Sequence, residues 1–358
     1  MATLKNLFIE LTTACNFKCE MCDIWQTKRQ FLPFKLLSKV LRQARELGAD
    51  QVSFSGGEAL LYPNFQDALK LAKTLGSNIF ISTNGSLISA QNVGFLVRHV
   101  DHIGISIEGD KKTHEQLRGP GSYDKALMAI RLLKNKRILT SLSMVVSKKS
   151  FQKMRSLVDL ANQEKIYQII FQPFGRGLLF KRAKDCQNFW ITKPDLENLE
   201  KEIEETISYA KRKKVDILSE SLLRAIPKYF ALDGRIYPKR SCQIAQTSLV
   251  LRKDGKIIPC WGWYEPVLGD IKKNSLREIF YGSKRKLILK KIEQKKCPGC
   301  LAACSDIEAY GTSPKNQLAL LAKRMRNIYR ISKIMGLSYS LSLVKSAIAR
   351  KIDQSKDY

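Results

Sequence analysis

The chain has 358 residues, 44% of them hydrophobic and 9% aromatic, which suffices to bury a large core in two domains or in one barrel with an appended module. Lysine and arginine number 62 against 33 aspartate and glutamate, and the net charge of +29 favours an anionic partner without choosing among nucleic acid, a phospholipid surface and a phosphorylated substrate. No stretch approaches the ~18 uninterrupted apolar residues of a membrane span, and Met1 to Phe8 shows no apolar run before a small-residue cleavage site, so the expected compartment is the cytoplasm.

Taken in chain order, the first half alternates strand-like and helix-like segments. Short apolar runs occur at Leu7–Thr12, Gln51–Ser55, Asn78–Ser82, His102–Ile107, Leu139–Val146 and Ile166–Gln172. Between them apolar residues recur at helical spacing, as at Leu36, Val40, Ala44 and Leu47 before Gly48, and at Phe65, Leu69 and Ala72 before Gly76. Six such alternations imply parallel strands joined by crossover helices, hence an α/β fold built as an incomplete (β/α)6 barrel. Chemistry in such barrels gathers at the C-terminal ends of the strands. Glu197 to Lys214 reads as a charged helix with Leu199, Ile203, Ile207 and Ala210 as its buried stripe. Beyond it, Thr247–Arg252 and Lys256–Cys260 flank the turn Lys253-Asp254-Gly255, a hairpin that opens a second, smaller α+β module. The expected division is 1–215 for the core, 216–312 for the second module and 313–358 for a basic helical tail.

The nine cysteines fall mainly in two tight groups of a large chain without a secretion signal, which favours metal ligation over a disulfide framework. Cys186 stands apart and reads as an ordinary thiol. The first group, Cys15, Cys19 and Cys22, follows the first strand directly. A protein-held [4Fe–4S] cluster normally takes four thiolates, so three suggest one iron left open for an outside ligand. A zinc knuckle would need a fourth Cys or His nearby, and the first His is His99.

The spacing Cys-x3-Cys-x-Met21-Cys resembles the signature of the radical S-adenosylmethionine (SAM) superfamily. The resemblance implies that the open iron chelates the amino and carboxylate groups of SAM, that one electron splits the sulfonium to a 5′-deoxyadenosyl radical, and that Met21 offers its backbone to the adenine. Ser55-Gly56-Gly57-Glu58 looks like the family's GGE motif, in which the glycines allow close approach and the carboxylate meets the SAM amino group. Ala59 stands where the family usually has proline. Thr83-Asn84-Gly85 is similar to the TNG segment that lines the cofactor pocket. Ser106-Ile107-Glu108-Gly109, followed by His114 and Arg118, resembles the S-[ILV]-D-G…H…R stretch of the sulfatase-maturating branch, with Glu108 in place of the usual aspartate toward the ribose. By that resemblance Ser106 lies near the cofactor and Arg118 meets the SAM carboxylate. His114 reads better as a structural residue at a helix start than as a catalyst.

The second group, Cys242, Cys260, Cys297, Cys300 and Cys304, resembles in its Cys-x12-Gly-x4-Cys and Cys-x2-Cys spacing the twitch and SPASM modules appended to many radical SAM enzymes. Gly269-Asp270-Ile271 and Ser275 to Phe280 also look like theirs. Five thiols imply one auxiliary [4Fe–4S] cluster with a spare, of the twitch type. Cys242, Cys260, Cys297 and Cys300 are the expected ligands, and Cys304 could replace one of them. A zinc ribbon also fits the spacing. In the tail, Leu318, Leu321, Met325 and Ile328, then Leu341, Val344 and Ile348, recur at helical spacing among many basic residues, as expected for a helix pair that either lies on an anionic membrane surface or packs on the barrel. The expected activity is that of an oxidoreductase-like or bond-forming radical SAM enzyme, its auxiliary cluster in electron transfer or substrate binding. An anionic small-molecule, lipid or peptide substrate and a reducing protein such as flavodoxin or ferredoxin complete the expectation. A membrane-held lipid- or peptide-modifying enzyme is the alternative, and an iron–sulfur electron carrier is disfavoured because a carrier needs no SAM pocket. No nucleic-acid-binding signature occurs.

Overall fold

The computed structural model describes residues 3–175, 186–237, 242–301, 329 and 331–336. Its first half is a strict strand–helix alternation: β1 (Asn6–Glu10), α1 (Phe34–Glu46), β2 (Gln51–Ser55), α2 (Phe65–Thr74), β3 (Asn78–Thr83), α3 (Val93–His99), β4 (His102–Ser106), α4 (Lys111–Arg118), α5 (Ser122–Leu133), β5 (Leu139–Val146), α6 (Met154–Gln163) and β6 (Gln168–Pro173). All six strands pair in parallel in the order of the sequence, so their C-terminal ends share one edge. This is the partial (β/α)6 barrel expected from the alternation. The sheet stays open: among the described residues β6 does not pair with β1, and its outer edge takes the segment 216–218 through Ile169 N–H to Asp216 O (2.8 Å) and Leu218 N–H to Ile169 O (2.9 Å).

The helices form because their apolar stripes have a sheet to cover. In α1, Leu37, Val40, Leu41 and Ala44 are buried at helical spacing. In β2 and β3 burial alternates residue by residue. The covered side holds Val52, Phe54, Ile79 and Ile81, and the half-exposed side holds Ser53, Ser55, Phe80 and Ser82. One face of the sheet is thus core and the other a partly open, hydroxyl-rich inner surface. Phe80 and His102 pack edge to face there at 4.9 Å, and the His102 ring bonds Ser141 Oγ at 2.9 Å.

After β6 come α7 (Cys186–Phe189), α8 (Leu196–Lys213) and α9 (Glu220–Ala231). The stripe Leu199, Ile203, Ile207 and Ala210 of α8 is buried as its spacing requires, and Ser219 caps α9 by accepting the Leu222 N–H. The second module contains α10 (Gln243–Thr247), β7 (Ser248–Leu251), β8 (Lys256–Ile258), β9 (Gly269–Asp270), α11 (Leu276–Tyr281) and α12 (Ser283–Glu293). The hairpin at Lys253-Asp254-Gly255 is present, with β7 and β8 antiparallel. Its setting is not legible in the local pattern: β7 pairs parallel with β1, Asn6 opposite Ser248, so the second module prolongs the barrel sheet to nine strands. Lys39 Nζ to Ile271 O (2.8 Å) and Leu276 N–H to Gln43 Oε1 (2.9 Å) fasten it further to α1. The apolar stripes foreseen at 318–328 and 341–348 lie outside the described residues. Among the described residues no helix is long and apolar enough to cross a membrane.

Candidate active site

The residues singled out from the sequence converge on the edge formed by the strand C-termini. The loop after β1 carries Cys15, Cys19 and Cys22. Its base is closed by Thr12 pairing with Phe31 and by Thr13, whose hydroxyl donates to Lys28 O and accepts the Gln30 N–H at 2.8 and 2.9 Å. Inside the loop Cys22 N–H donates to Cys19 O (3.2 Å), and Met21 and Phe17 bury their side chains in the core.

The GGE loop after β2 is laced to this base. Gly57 N–H donates to Thr12 O and Glu58 N–H to Ala14 O, both at 2.8 Å. A Cβ on Gly56 would stand 2.4 Å from Thr12 O, and one on Gly57 would stand 2.3 Å from Ala14 O. The glycine pair is therefore required by the chain's own backbone, which fills the close approach that the motif suggests for a ligand.

Glu58 is fully buried and holds the end of β3. Its Oε1 accepts from Thr83 Oγ1 (2.8 Å) and Leu60 N–H (3.2 Å), and its Oε2 accepts from Asn84 N–H (2.8 Å). Burial pushes its carboxyl above the usual range, against the pull of these bonds. Glu108 repeats the device two strands on. Its Oε1 accepts from Arg118 Nε and Nη2 at 3.1 and 2.6 Å, and its Oε2 accepts from Val145 N–H in β5 at 2.9 Å. A carboxylate offers about four acceptor positions, so each of these acids keeps one. Arg118 is also 4.0 Å from Cys19 Sγ through Nη1. Burial works against its charge, but Glu108 and the thiols outweigh burial and raise its pKa.

Asn84 Nδ2 donates to Asn16 Oδ1 (2.9 Å), while Asn16 Nδ2 and Asn84 Oδ1 both meet the Ser86 hydroxyl (2.8 and 2.6 Å). Asn16 and Ser86 were not foreseen as site residues, although Asn16 lies inside the cysteine motif. Ser106, at the end of β4, is half-buried opposite Ser143. His114 accepts the Glu108 N–H on Nδ1 at 3.0 Å. Burial first, and Arg118 second, lower its pKa to about 3, so it is a neutral structural imidazole.

Burial raises all three thiols of the first loop, Cys22 to about 11; neighbouring thiols further raise Cys15 and Cys22, and Glu108 further raises Cys19 against the pull of Arg118. Among the described residues no three His, Cys, Asp or Glu side chains form a ready-made metal cage. Neutral thiols have no reason to converge, and metal binding supplies both deprotonation and convergence. The donor set nevertheless fits a three-thiolate cluster: three sulfurs on one braced loop with a guanidinium beside them.

Two members of the second group, Cys260 and Cys300, meet at Gly262. A Cβ there would lie 3.3 Å from Cys300 Sγ and 3.9 Å from Cys260 Sγ, so two of the expected auxiliary ligands face one glycine cradle. Cys300 N–H donates to Ile236 O (3.1 Å), and Cys297 O accepts from Tyr237 Oη (3.0 Å). Cys242 stands at the residue that precedes α10. Cys304 lies outside the described residues. Gly262 was not foreseen, although it lies two residues after Cys260.

Two family models match the chain: the radical SAM superfamily over residues 9–161, and the iron–sulfur cluster-binding SPASM domain over 242–305. Residues 9–161 thus carry a radical SAM domain and residues 242–305 a SPASM-type module. With these two domains the chain takes a SAM-binding [4Fe–4S] cluster, auxiliary iron–sulfur and SAM as its cofactors. It is similar to the sporulation killing factor maturation protein SkfB of Bacillus subtilis (strain 168), 25% identical over 300 residues that cover 81% of this chain and 67% of SkfB. It is 29% identical to the PqqA peptide cyclase of Streptomyces rochei over 49% of this chain and 51% of the cyclase, so it spans about half of that relative. In structure it resembles Streptococcus suis SuiB, solved with S-adenosylmethionine and with precursor peptide SuiA. The TM-score is 0.62, with 21% identity in the SAM complex, over 79% of this chain and 66% of SuiB.

Proposed function

We propose that this chain is a radical SAM enzyme that abstracts a hydrogen from a peptide substrate, with residues 1–215 as the SAM-binding core, 216–312 as the auxiliary-cluster module and 313–358 as a basic tail. The observation that carries this reading is the convergence of the Cys15/Cys19/Cys22 loop, the Gly56-Gly57-Glu58 turn, Asn84 and the Glu108–Arg118 pair on one edge of one parallel sheet. Similarity to the PqqA peptide cyclase, and a fold shared with SuiB, which was solved with a precursor peptide, support a peptide rather than a small molecule. The charge of +29 favours one carrying acidic side chains.

When bound, the SAM-chelating cluster supplies the electron that splits SAM to methionine and a 5′-deoxyadenosyl radical. Cys15, Cys19 and Cys22 would hold it, leaving one iron for SAM. Arg118 sets a fixed positive charge beside Cys19, suited to an anionic cluster and to the SAM carboxylate. Glu58 and Glu108 each retain one acceptor position, for the amino group and the ribose respectively. Gly56 and Gly57 keep the two loops in contact, Asn16, Asn84 and Ser86 brace the third, and Met21 and Ser106 complete the pocket wall. Cys242, Cys260, Cys297 and Cys300, with Cys304 as the spare, would hold the auxiliary cluster, which would supply an electron acceptor or a substrate-binding site. A reducing protein such as flavodoxin or ferredoxin supplies the electrons.

The test is anaerobic reconstitution followed by dithionite and SAM. The expected result is about eight irons per chain, as two four-iron clusters require, and formation of 5′-deoxyadenosine. Zinc at the C-terminal module, or iron without SAM cleavage, would defeat the reading.

A further inference from the structure

Glu10 closes β1 and is only 1% exposed, yet among the described residues its side chain bonds only to the second module. Its Oε2 accepts from the Tyr264 hydroxyl (3.0 Å) and, at 3.4 Å, from the Lys253 N–H, while Lys253 Nζ lies 3.2 Å from Oε1. Lys253 Nζ also reaches the Tyr264 oxygen (3.2 Å), and the Arg252 guanidinium stacks on the Tyr264 ring at 4.4 Å. Both partners, and Arg252 with them, come from the β7–β8 turn and the loop that follows Cys260. A buried carboxylate so placed is costly unless paired and hydrogen-bonded, and the second module provides both.

The two ends of this cluster lead to the two cysteine groups. Two residues after Glu10, Thr12 O accepts the Gly57 N–H that binds the GGE loop to the first cysteine loop. Two residues before Tyr264, Gly262 faces the sulfurs of Cys260 and Cys300, and Trp263 N–H closes the turn onto Cys260 O at 3.4 Å. A contiguous path of backbone and buried hydrogen bonds therefore runs from the SAM side to the auxiliary ligands.

We propose that Glu10 and Tyr264 are positioning residues that fix the auxiliary-cluster loop 260–264 against the SAM side of the barrel, and that the Glu10–Lys253 pair sets the charge felt by the auxiliary cluster. This rests on the radical SAM reading. Iron–sulfur potentials respond to local charge and hydrogen bonding. Loss of the Glu10 charge leaves Lys253 uncompensated and eases reduction of an anionic cluster, whereas loss of the Lys253 charge hinders it.

The experiment uses the full chain bearing Cys15→Ala, Cys19→Ala and Cys22→Ala, so that only the auxiliary signal remains, with potentiometric titration followed by electron paramagnetic resonance. Against that parent, Glu10→Gln should shift the auxiliary potential upward and Lys253→Met should shift it downward. Tyr264→Phe should alter the line shape with little shift. Opposite signs from two neighbouring substitutions are not produced by loss of folding, which would reduce iron content in both. Unchanged potentials in Glu10→Gln and Lys253→Met, with iron retained, or shifts of one sign in both, overturn the positioning proposal alone. A parent that holds no auxiliary iron overturns the functional reading and the proposal together.

Discussion

Arg118 donates from Nε and Nη2 to the same oxygen of Glu108, at 3.1 and 2.6 Å, and presents its remaining terminal nitrogen to Cys19 Sγ. Glu108 is fully buried, and the other partner in its bonding is the backbone of β5. The pair is thus at once a tie between the β4 and β5 ends and the charged wall of the cysteine loop.

Breaking one side of such a pair strands a charge. Arg118→Met is expected to lower stability by about 3–5 kcal/mol, because Glu108 stays buried without its counter-charge. The double change Arg118→Met with Glu108→Gln should recover most of that loss, since a neutral amide can still accept the Val145 N–H. Equilibrium denaturation of both variants checks this, and a double variant no better than the single one would show that the charge is not the cause.

Gly57→Ala should damage the first cluster site and spare the second. Its Cβ would lie 2.3 Å from Ala14 O, a backbone atom that no rotamer change can move. Overpacking of this kind costs about 1–3 kcal/mol, and the strain falls on the loop that carries Cys15. Iron analysis after reconstitution should show loss of the SAM-binding cluster with auxiliary iron retained. A normal iron load and normal SAM cleavage would mean that the loops relax apart.

Much of this was legible because parallel strands and crossover helices write themselves locally. Gln51–Ser55 and Leu139–Val146 are strands at the bounds their apolar runs give, and the α8 stripe is buried residue for residue. What stayed hidden is non-local. The pairing of β7 with β1 joins residues some two hundred positions apart, and nothing in Ser248–Leu251 records which edge it meets. The same holds for Glu10, which reads as one more residue of an apolar run until Lys253 and Tyr264 are placed beside it. At Gly56 and Gly57 the motif is visible, but that the closest neighbour is the chain itself requires the coordinates.

Removal of ligands should separate the cysteines by role. Cys260→Ala or Cys300→Ala is expected to lose or convert the auxiliary cluster, since both sulfurs face the Gly262 cradle, whereas Cys304→Ala should be mild. Visible absorbance and iron content measure it. An intact auxiliary cluster in Cys300→Ala together with its loss in Cys304→Ala would reassign the fourth ligand.

Acid should destabilise the fold earlier than its carboxylates alone require. His102 and His114 are two of the chain's three histidines, and burial lowers their pKa values to about 4 and about 3. Both are therefore neutral in the fold at a pH where an unfolded chain, with imidazoles titrating near ~6.5, has begun to bind protons. A folded pKa below the unfolded one contributes stability that is fully present above pH ~6.5 and is lost as pH falls toward the folded values. Thermal melts of the apo chain between pH 7.5 and 4.5 should show this decline. His114→Asn keeps an acceptor for the Glu108 N–H but cannot protonate. It should be somewhat less stable at pH 7.5, from lost packing on Tyr123, and its decline toward pH 4.5 should be shallower than that of the parent. A variant whose melting temperature falls in parallel with the parent across that window would show that His114 protonation is not coupled to unfolding.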